Sequence, residues 1–326
     1  MKNICVVGYG AIGPLHASGI VNTKNGRLYA VCDINPDRIK RCQETYENVI
    51  GYEDFDTMLL DEQIDSVHIC TPHYLHYEMI TKALKAGKTV ISEKPVTISR
   101  TDYDTLLSNE NIDKLGLVFQ NRLNPCSQML KTIIQEKKLG DILCAKAIVT
   151  WIRTKEYYRA DAWRGKWATE GGGVLINQAI HTLDLMSYLV GDIASVKANM
   201  ATYALDDTIE VEDTLSAYLK YKSGVTGVFF ATNAYGHNNS PDIEIRFAEG
   251  VARYADDKLY INDELVCQNV TATGEKAYWG TTHETLVQNF YDHDTYFHIT
   301  DAQNTMYTLF SIYESAKNGG KEVSVD

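Results

Sequence analysis

Three groups of residues in this chain have the types and spacing to do chemistry. The first is Gly8-Tyr9-Gly10-Ala11-Ile12-Gly13, which follows the apolar run Asn3–Val7, with Asp33 lying 20 residues beyond Gly13. Glycines in this pattern permit a tight turn and let backbone N–H groups approach a pyrophosphate, whose charge the start of the following helix favours. Asp33 then reads as the partner of the adenosine ribose hydroxyls. Its carboxylate repels a 2′-phosphate, so the pattern favours NAD over NADP, with Arg38 placed to soften that repulsion.

The second group is Thr71-Pro72-His73-Tyr74-Leu75-His76 together with Glu93-Lys94-Pro95. Each follows a run read as a parallel strand, Ser66–Cys70 and Thr89–Ser92, at the carboxyl end where ligands bind in open α/β sheets. A lysine that loses hydration there, beside a cationic nicotinamide ring, shifts toward its neutral form and suits proton exchange. The ordinary alternative is a solvated lysine at a strand end. The third group is Gly171-Gly172-Gly173 followed by Asn177, His181 and Asp184, spaced i, i+4, i+7 on one face of an apolar helix over Val174–Val190. Three glycines let a backbone pass close to a ligand. His181 reads as a satisfied core histidine bonded to Asp184, or as one whose tautomer Asp184 fixes while the other ring nitrogen faces substrate; the two readings are compatible. Tyr157, Tyr158 and Trp163 offer faces for a sugar ring, or for packing.

The elements that must position these groups change character at Arg122. Before it, short apolar runs alternate with helical patterns, which predicts βαβ units and a parallel sheet, with Arg27–Cys32 its second strand and Leu117–Gln120 its last. Asn35-Pro36 predicts a capped helix start, and a helix over about residues 75–86 stops at Gly87. Beyond Arg122, strands over 143–154, 195–203, 214–220, 225–232, 242–247 and 251–254 follow one another by tight turns, which predicts an antiparallel sheet. Helices over 282–296 and 301–317 close the chain. The expected organisation is therefore α/β, with a Rossmann domain over 1–122 and an α+β domain over 123–326 carrying a large open, mainly antiparallel sheet.

Composition excludes several classes. Of 326 residues, 44% are hydrophobic and 23% charged, and 31 Lys+Arg against 43 Asp+Glu give a net charge of −12. No basic footprint for nucleic acid or an anionic membrane exists in that balance. The seven cysteines form no CxxC and no zinc spacing, so no metal is expected. No apolar stretch approaches the roughly 18 residues of a membrane span. Met1-Lys2-Asn3 leads directly into a strand without a signal peptide, and the expectation is a cytoplasmic chain with reduced thiols.

In order along the whole chain, Gly8-x-Gly10-x-x-Gly13, Thr71-Pro72, Ala86-Gly87-Lys88, Glu93-Lys94-Pro95, Trp163-Arg164, the triple-glycine helix with His181, and Tyr278-Trp279-Gly280 with His283 resemble the Gfo/Idh/MocA oxidoreductase family. The resemblance implies NAD-dependent hydride transfer at a ring secondary alcohol of a sugar or sugar derivative. It implies Lys94 as catalytic base and His181 as a catalytic or orienting residue. Cofactor contacts are implied at Gly8, Gly10, Ile12, Asp33, Arg38, Thr71, Pro72, His76, Glu93, Lys94, Asn121, Trp163 and Arg164, with Tyr9, Ala11 and Gly13 completing the glycine loop. Substrate contacts are implied at Lys94, Arg122, Tyr158, Trp163, Asn177, His181 and Tyr278. One departure stands out: many relatives carry Asp where this chain has Asn177, and an amide can hydrogen-bond a hydroxyl but cannot take its proton. Asn at this position resembles the branch of UDP-sugar 3-dehydrogenases and some glycoside 3-oxidoreductases. The rival readings are redox-neutral glycoside cleavage with bound NAD and, from another class, a non-catalytic NAD-dependent regulator. The expected partners are a small sugar substrate and a second copy of the chain, as homodimer or homotetramer, through a sheet face that no helix covers.

Overall fold

The computed structural model describes residues 1–270 and 282–326. The chain divides into two compact units, Met1–Gln120 with Thr281–Asp301 and Asn121–Gly280 with Ala302–Asp326. Among the described residues no helix is long and apolar enough to cross a membrane.

The first unit is built on six strands: β1 (Lys2–Val7), β2 (Gly26–Cys32), β3 (Ile50–Tyr52), β4 (Ser66–Ile69), β5 (Thr89–Ser92) and β6 (Leu115–Leu117). They pair in the order β3-β2-β1-β4-β5-β6, every pairing parallel, which is the strand order of a Rossmann fold. Ile4–Val7 and all of β4 are buried, as strands in the middle of a parallel sheet covered on both faces must be. Asn35 caps the helix Pro36–Thr45 by accepting from Asp37 N at 2.9 Å.

The first unit is not one stretch of sequence, because Thr281–Asp301 return to it. The helix Thr282–Asp292 lies against the helix Gly13–Val21, so closely that a Cβ on Gly19 would sit 3.2 Å from Val287. Val287 is buried in one cluster with Ile4, Val6, Ala17, Ile20 and Val31. Farther along, Tyr103 Oη donates to Ile299 O at 2.5 Å and Leu117 bridges Phe297. An amphipathic helix carries no local mark of which core it joins, so this return was invisible in the sequence pattern.

The second unit holds β7 (Ile142–Thr150), β8 (Ile193–Ala201), β9 (Thr214–Tyr221), β10 (Thr226–Thr232), β11 (Asp242–Phe247), β12 (Gly250–Ala255), β13 (Lys258–Ile261), β14 (Glu264–Gln268) and β15 (Val323–Ser324). Among the described residues they form one sheet in the order β14-β13-β12-β11-β7-β10-β9-β8-β15. Only β7 and β10 run parallel, so the open, mainly antiparallel sheet expected from the sequence is present. One face packs on the helices Ile180–Val190 and Gln303–Lys317. The other exposes Ile148, Tyr218, Val228 and Phe230, with Val228 in register with Tyr218 and Phe230 in register with Ile148.

The expected helix over 174–190 is two structures in succession. Leu175–Ala179 is a π turn, and the α-helix proper is Ile180–Val190. The wider i→i+5 turn breaks the face on which an ideal helix would align Asn177, His181 and Asp184. Two of the glycines before it are required by the chain's own packing. A Cβ on Gly173 would run into the Glu212 carbonyl, and one on Gly172 into the Tyr313 hydroxyl. Gly173→Ala is accordingly expected to destabilise the fold by at least about 1–3 kcal/mol, because backbone must move to admit the methyl. Gly236→Ala, where a Cβ meets nothing within 4 Å, should stay within about 0.5 kcal/mol of wild type. Urea denaturation of the two variants checks the contrast.

Candidate active site

In the first unit the glycine loop joins β1 to the helix Gly13–Val21. Gly8 has φ +88°, and a Cβ there would lie 2.7 Å from Cys70 O. A Cβ on Gly13 would strike Gly8 O. Both glycines are therefore required by the chain's own packing. Gly10 differs: its Cβ would meet only the Arg38 guanidinium, with the nearest atom at 3.7 Å. The open space over Gly10 is the cradle a side chain would fill, at the start of a helix, and it fits the pyrophosphate of a dinucleotide.

Asp33 is buried at the end of β2. Its Oδ2 accepts from Tyr9 N at 2.7 Å and its Oδ1 from Asn35 N at 2.9 Å, while Arg38 Nη1 stands 3.5 Å from Oδ2. The carboxylate is thus pre-set by the glycine loop, and Arg38 is already engaged with it. Tyr9 contributes backbone to the loop, but its ring is a core group under Arg41. Ala11 is exposed and Ile12 half-buried at the helix start.

Thr71 and Pro72, both half-buried, follow β4, and Lys94, also half-buried, follows β5. His76 is fully buried, with Nδ1 2.7 Å from Pro95 O and Nε2 2.8 Å from Thr71 O. His76 lies between two backbone carbonyls and, as a neutral imidazole, donates to one of them, so it packs the Thr71-Pro72 turn beside Pro95. Burial lowers its pKa, against the pull of the two carbonyls. The Glu93 carboxylate points into a histidine cluster: Oε1 lies 3.1 Å from His16 Nε2 and 3.7 Å from His283 Nε2, and Oε2 accepts from Lys94 N at 3.3 Å. Burial raises the Glu93 pKa, but the two histidines outweigh it and hold the carboxyl well below its usual range. The cluster continues from His16 Nδ1 to His68 Nδ1 at 2.8 Å, and from His68 Nε2 to Tyr291 Oη at 2.8 Å. Burial and His16 together push His68 well below the ordinary imidazole range, keeping it neutral. His16, His68, His283 and Tyr291 were not singled out as site residues. The signal for two of them was present, as lone histidines in an apolar helix and an apolar strand.

In the second unit, Asn177 and His181 are the two residues of Gly171–Met186 that are not buried. Asp184 does not hold His181. It is buried and bound by Arg122, Nε to Oδ2 at 2.8 Å and Nη2 to Oδ1 at 2.6 Å, and it accepts from Thr305 Oγ1 at 2.9 Å. Arg122, expected at the substrate, is thereby placed in a buried ion pair. Tyr158, also expected there, is a core residue packed with Leu205, Ile209 and Val211, and its hydroxyl accepts from Asn233 Nδ2 at 3.1 Å. Arg164 pairs with Asp161 at 2.9 Å and covers the Tyr157 ring at 4.2 Å; Trp163 and Asn121 are half-buried. Tyr278 lies outside the described residues.

The residue the sequence reading missed is Glu170. It is fully buried, its Oε1 accepts from Asn177 Nδ2 at 2.6 Å, and its Oε2 accepts from Gly165 N at 2.5 Å. Nearby, Glu212 accepts from Gly173 N at 2.9 Å, Leu175 N at 3.0 Å and Tyr313 Oη at 3.0 Å.

Residues 2–121 match the family model of an oxidoreductase family with an NAD-binding Rossmann fold, and residues 127–253 match the GFO/IDH/MocA C-terminal domain. Levoglucosan dehydrogenase of Pseudarthrobacter phenanthrenivorans is 26% identical over 246 residues, 68% of this chain and 63% of that protein, so the match spans less than two thirds of that relative. Myo-inositol 2-dehydrogenase of Thermotoga maritima is 24% identical over 254 residues, 76% of this chain and 73% of that protein. The WlbA dehydrogenase of Bordetella pertussis, solved with NADH and UDP-GlcNAcA, has a TM-score of 0.85 at 28% identity over 99% of both chains.

Burial pushes both Glu170 and Glu212 from the ordinary glutamate value of 4.5 up to about 7. A carboxyl whose folded-state pKa is raised costs stability progressively as pH climbs from its unfolded value to its folded one, and the cost is constant above that. Glu170→Gln removes one such group. Its melting temperature relative to wild type should therefore rise with pH between about 4.5 and 7 and level off beyond. Calorimetry of both proteins at constant ionic strength would contradict this by showing a pH-independent difference.

Proposed function

This chain belongs to the Gfo/Idh/MocA oxidoreductase family, and from that premise we propose that it is an NAD-dependent dehydrogenase acting on a ring secondary alcohol of a sugar or sugar derivative. The observation that carries the reading is the glycine loop, where the packing of the chain accounts for Gly8 and Gly13 but leaves the space over Gly10 for a ligand. The backbone of Gly8–Gly13 and the start of the following helix would hold the pyrophosphate, and Asp33 the adenosine ribose. NAD, when bound, supplies the hydride acceptor.

The chain's own residues have the rest of the work. Loss of hydride from the carbinol carbon turns the alcohol into a ketone only as the hydroxyl gives up its proton, so a base must reach that oxygen. We assign Lys94 as that base, its backbone held by the Glu93 carboxylate and its side chain half-buried after β5. Asn177 and His181 hold sugar hydroxyls. The names of the relatives, for levoglucosan and inositol dehydrogenases and for a dehydrogenase solved with a UDP-sugar acid, support a polyhydroxylated ring.

A panel of levoglucosan, myo-inositol, methyl glucosides and UDP-linked sugar acids, followed by NADH absorbance, tests the activity. Consumption of a glycoside without net NADH would favour redox-neutral cleavage instead. Lys94→Ala should lower kcat by about 10²–10⁴-fold and leave NAD affinity nearly unchanged, and NAD should bind at least about tenfold more tightly than NADP. The reverse result at the base, a nearly active Lys94→Ala with an inactive His181→Ala, would make His181 the proton acceptor.

The uncovered sheet face supports self-association. Ile148, Tyr218, Val228 and Phe230 form an apolar strip across β7, β9 and β10, of the kind that packs on a second copy. Light scattering is expected to give two or four times the 36.6 kDa chain mass. Phe230→Glu should shift the distribution to monomer, and a wild-type monomer would refute the assembly.

A further inference from the structure

We propose that Cys126 and Cys267 are a redox-active pair that closes to a reversible disulfide under peroxide, Cys267 being the thiol oxidised first and Cys126 the one that completes the bond. The inference is independent of the dehydrogenase reading.

Two elements of the second unit bring the sulfurs together. Cys126 stands in the first turn of the helix Pro125–Gln135 and is fully buried. Its backbone N donates to Asn269 Oδ1 at 3.0 Å, and its Sγ lies 3.6 Å from Asp257 O. The same carbonyl accepts from Asn269 N at 2.7 Å. Asn269 is two residues beyond Cys267, so the helix start is pinned to the end of the strand that carries the second thiol. On that strand, β14, Cys267 pairs with Leu259 of β13 while Leu265 pairs with Tyr260, which leaves Val266 as a bulge. Directly opposed residues share one face of a sheet. Leu259 is fully buried, and Cys267 is correspondingly the one residue of β14 that is not exposed. The Cys126 sulfur accepts from Leu259 N–H, opposite Cys267, and lies within hydrogen-bonding reach of the Cys267 thiol.

The two environments differ in the way a stepwise closure needs. Of the seven cysteines, five are buried, Cys144 is exposed and Cys267 is half-exposed. Peroxide can therefore meet Cys267 before Cys126. Burial, then the Cys267 thiol and Asp257, push the Cys126 thiol up to about 12 against the Leu259 N–H. Cys126 thus stays protonated while its neighbour reacts. In the first step the Cys267 thiolate attacks one oxygen of hydrogen peroxide. The O–O bond breaks, the sulfur gives up two electrons to become a sulfenic acid, and the departing hydroxide takes a proton to leave as water. A sulfenic acid is neutral, so the charge that opposed ionisation of Cys126 is gone. In the second step the Cys126 sulfur attacks the Cys267 sulfur. An S–S bond forms, the S–O bond breaks, and hydroxide leaves with the Cys126 proton as a second water. The sum is two thiols and one peroxide to one disulfide and two waters. A dithiol reductant restores both thiols by exchange. Closure also keeps Cys267 from the irreversible sulfinic stage.

The test uses the full folded chain carrying Cys144→Ser, which removes the exposed thiol. After brief peroxide treatment the remaining thiols are blocked in denaturant and the peptides are weighed. Cys126 should be found linked to Cys267, with a mass loss of two hydrogens. Seven cysteines less Cys144 leave six, so four should be blocked, and dithiothreitol should return all six. The same treatment in urea should show no preference for this pair, because the contacts that align it are gone. Adding Cys126→Ser should make Cys267 collect one or two oxygens instead, since nothing remains to close the bond.

A folded chain in which peroxide leaves Cys126 free, whether Cys267 is untouched or carried to sulfinic acid, overturns the proposal. So does equal linkage in urea. A Cys267 that stays reduced in the folded Cys126→Ser variant overturns the order of the two steps. If that buried substitution prevents folding, the Cys144→Ser chain alone decides the linkage.

Discussion

The polar arrangement of the second unit depends on a carboxylate, Glu212, that is buried and satisfied by the backbone N–H groups of Gly173 and Leu175 and by the Tyr313 hydroxyl. A buried charge without partners would cost several kcal/mol. The first turn of a helix offers orphan N–H groups, and the helix dipole favours an anion beside them. Glu212 can use them only if the incoming backbone lies against its own carbonyl, and that contact leaves no room for a Cβ at Gly173. The glycines, the start of the π turn and the burial of Glu212 are therefore one constraint. Its consequence is that Asn177 and His181 are the groups of this segment left unburied, with Glu170 directly behind the first of them.

The first unit solves the corresponding problem with different chemistry. Glu93 is also buried, but its compensation comes from imidazoles on two helices, His16 from Gly13–Val21 and His283 from Thr282–Asp292. Hydrogen bonds and electrostatic support from the two imidazoles hold this carboxyl low, where Glu170 and Glu212 are pushed up by burial. The returning segment 282–301 thus does more than add Val287 to a core. It brings a histidine within 3.7 Å of the carboxylate that holds the Lys94 backbone, so the distant helix and the proposed base border one polar cluster.

Much of the fold was legible because local pattern and burial agree. Runs such as Ile4–Val7 and the alternation of Asp242–Phe247 admit few other readings. The last Rossmann strand was misplaced toward Gln120 because its true centre is Gly116, a poor strand residue required there by the Phe290 ring, which a Cβ would approach to 2.6 Å. The glycine loop and Asp33 could be read from spacing, since their roles are fixed by backbone geometry within a single βαβ unit. Arg122 could not, since its partner Asp184 is 62 residues away and only the fold shows the pairing. Asp184 on an apolar helix was nonetheless a clue, because a buried carboxylate demands a cation or several donors. Glu170 had no signal at all. In Lys166-Trp167-Ala168-Thr169-Glu170 it looks like an acid on a surface loop, and its burial is set by Gly165 and Asn177.

Glu170 also gives a physical reason for the amide at position 177, where the family resemblance leads one to expect an aspartate. An aspartate there would place a second carboxyl at hydrogen-bond distance from Glu170 Oε1. Two carboxylates so close cannot both ionise, and they share a proton between them. Such a pair titrates as a unit, and neither member acts as an independent base. With asparagine the repulsion is absent, and Glu170 keeps a donor opposite its oxygen. Positions 170 and 177 are therefore energetically coupled, and a change at one alters what the other can do. In the proposed reaction an amide cannot accept the hydroxyl proton, so an asparagine at 177 could only bind and orient a substrate.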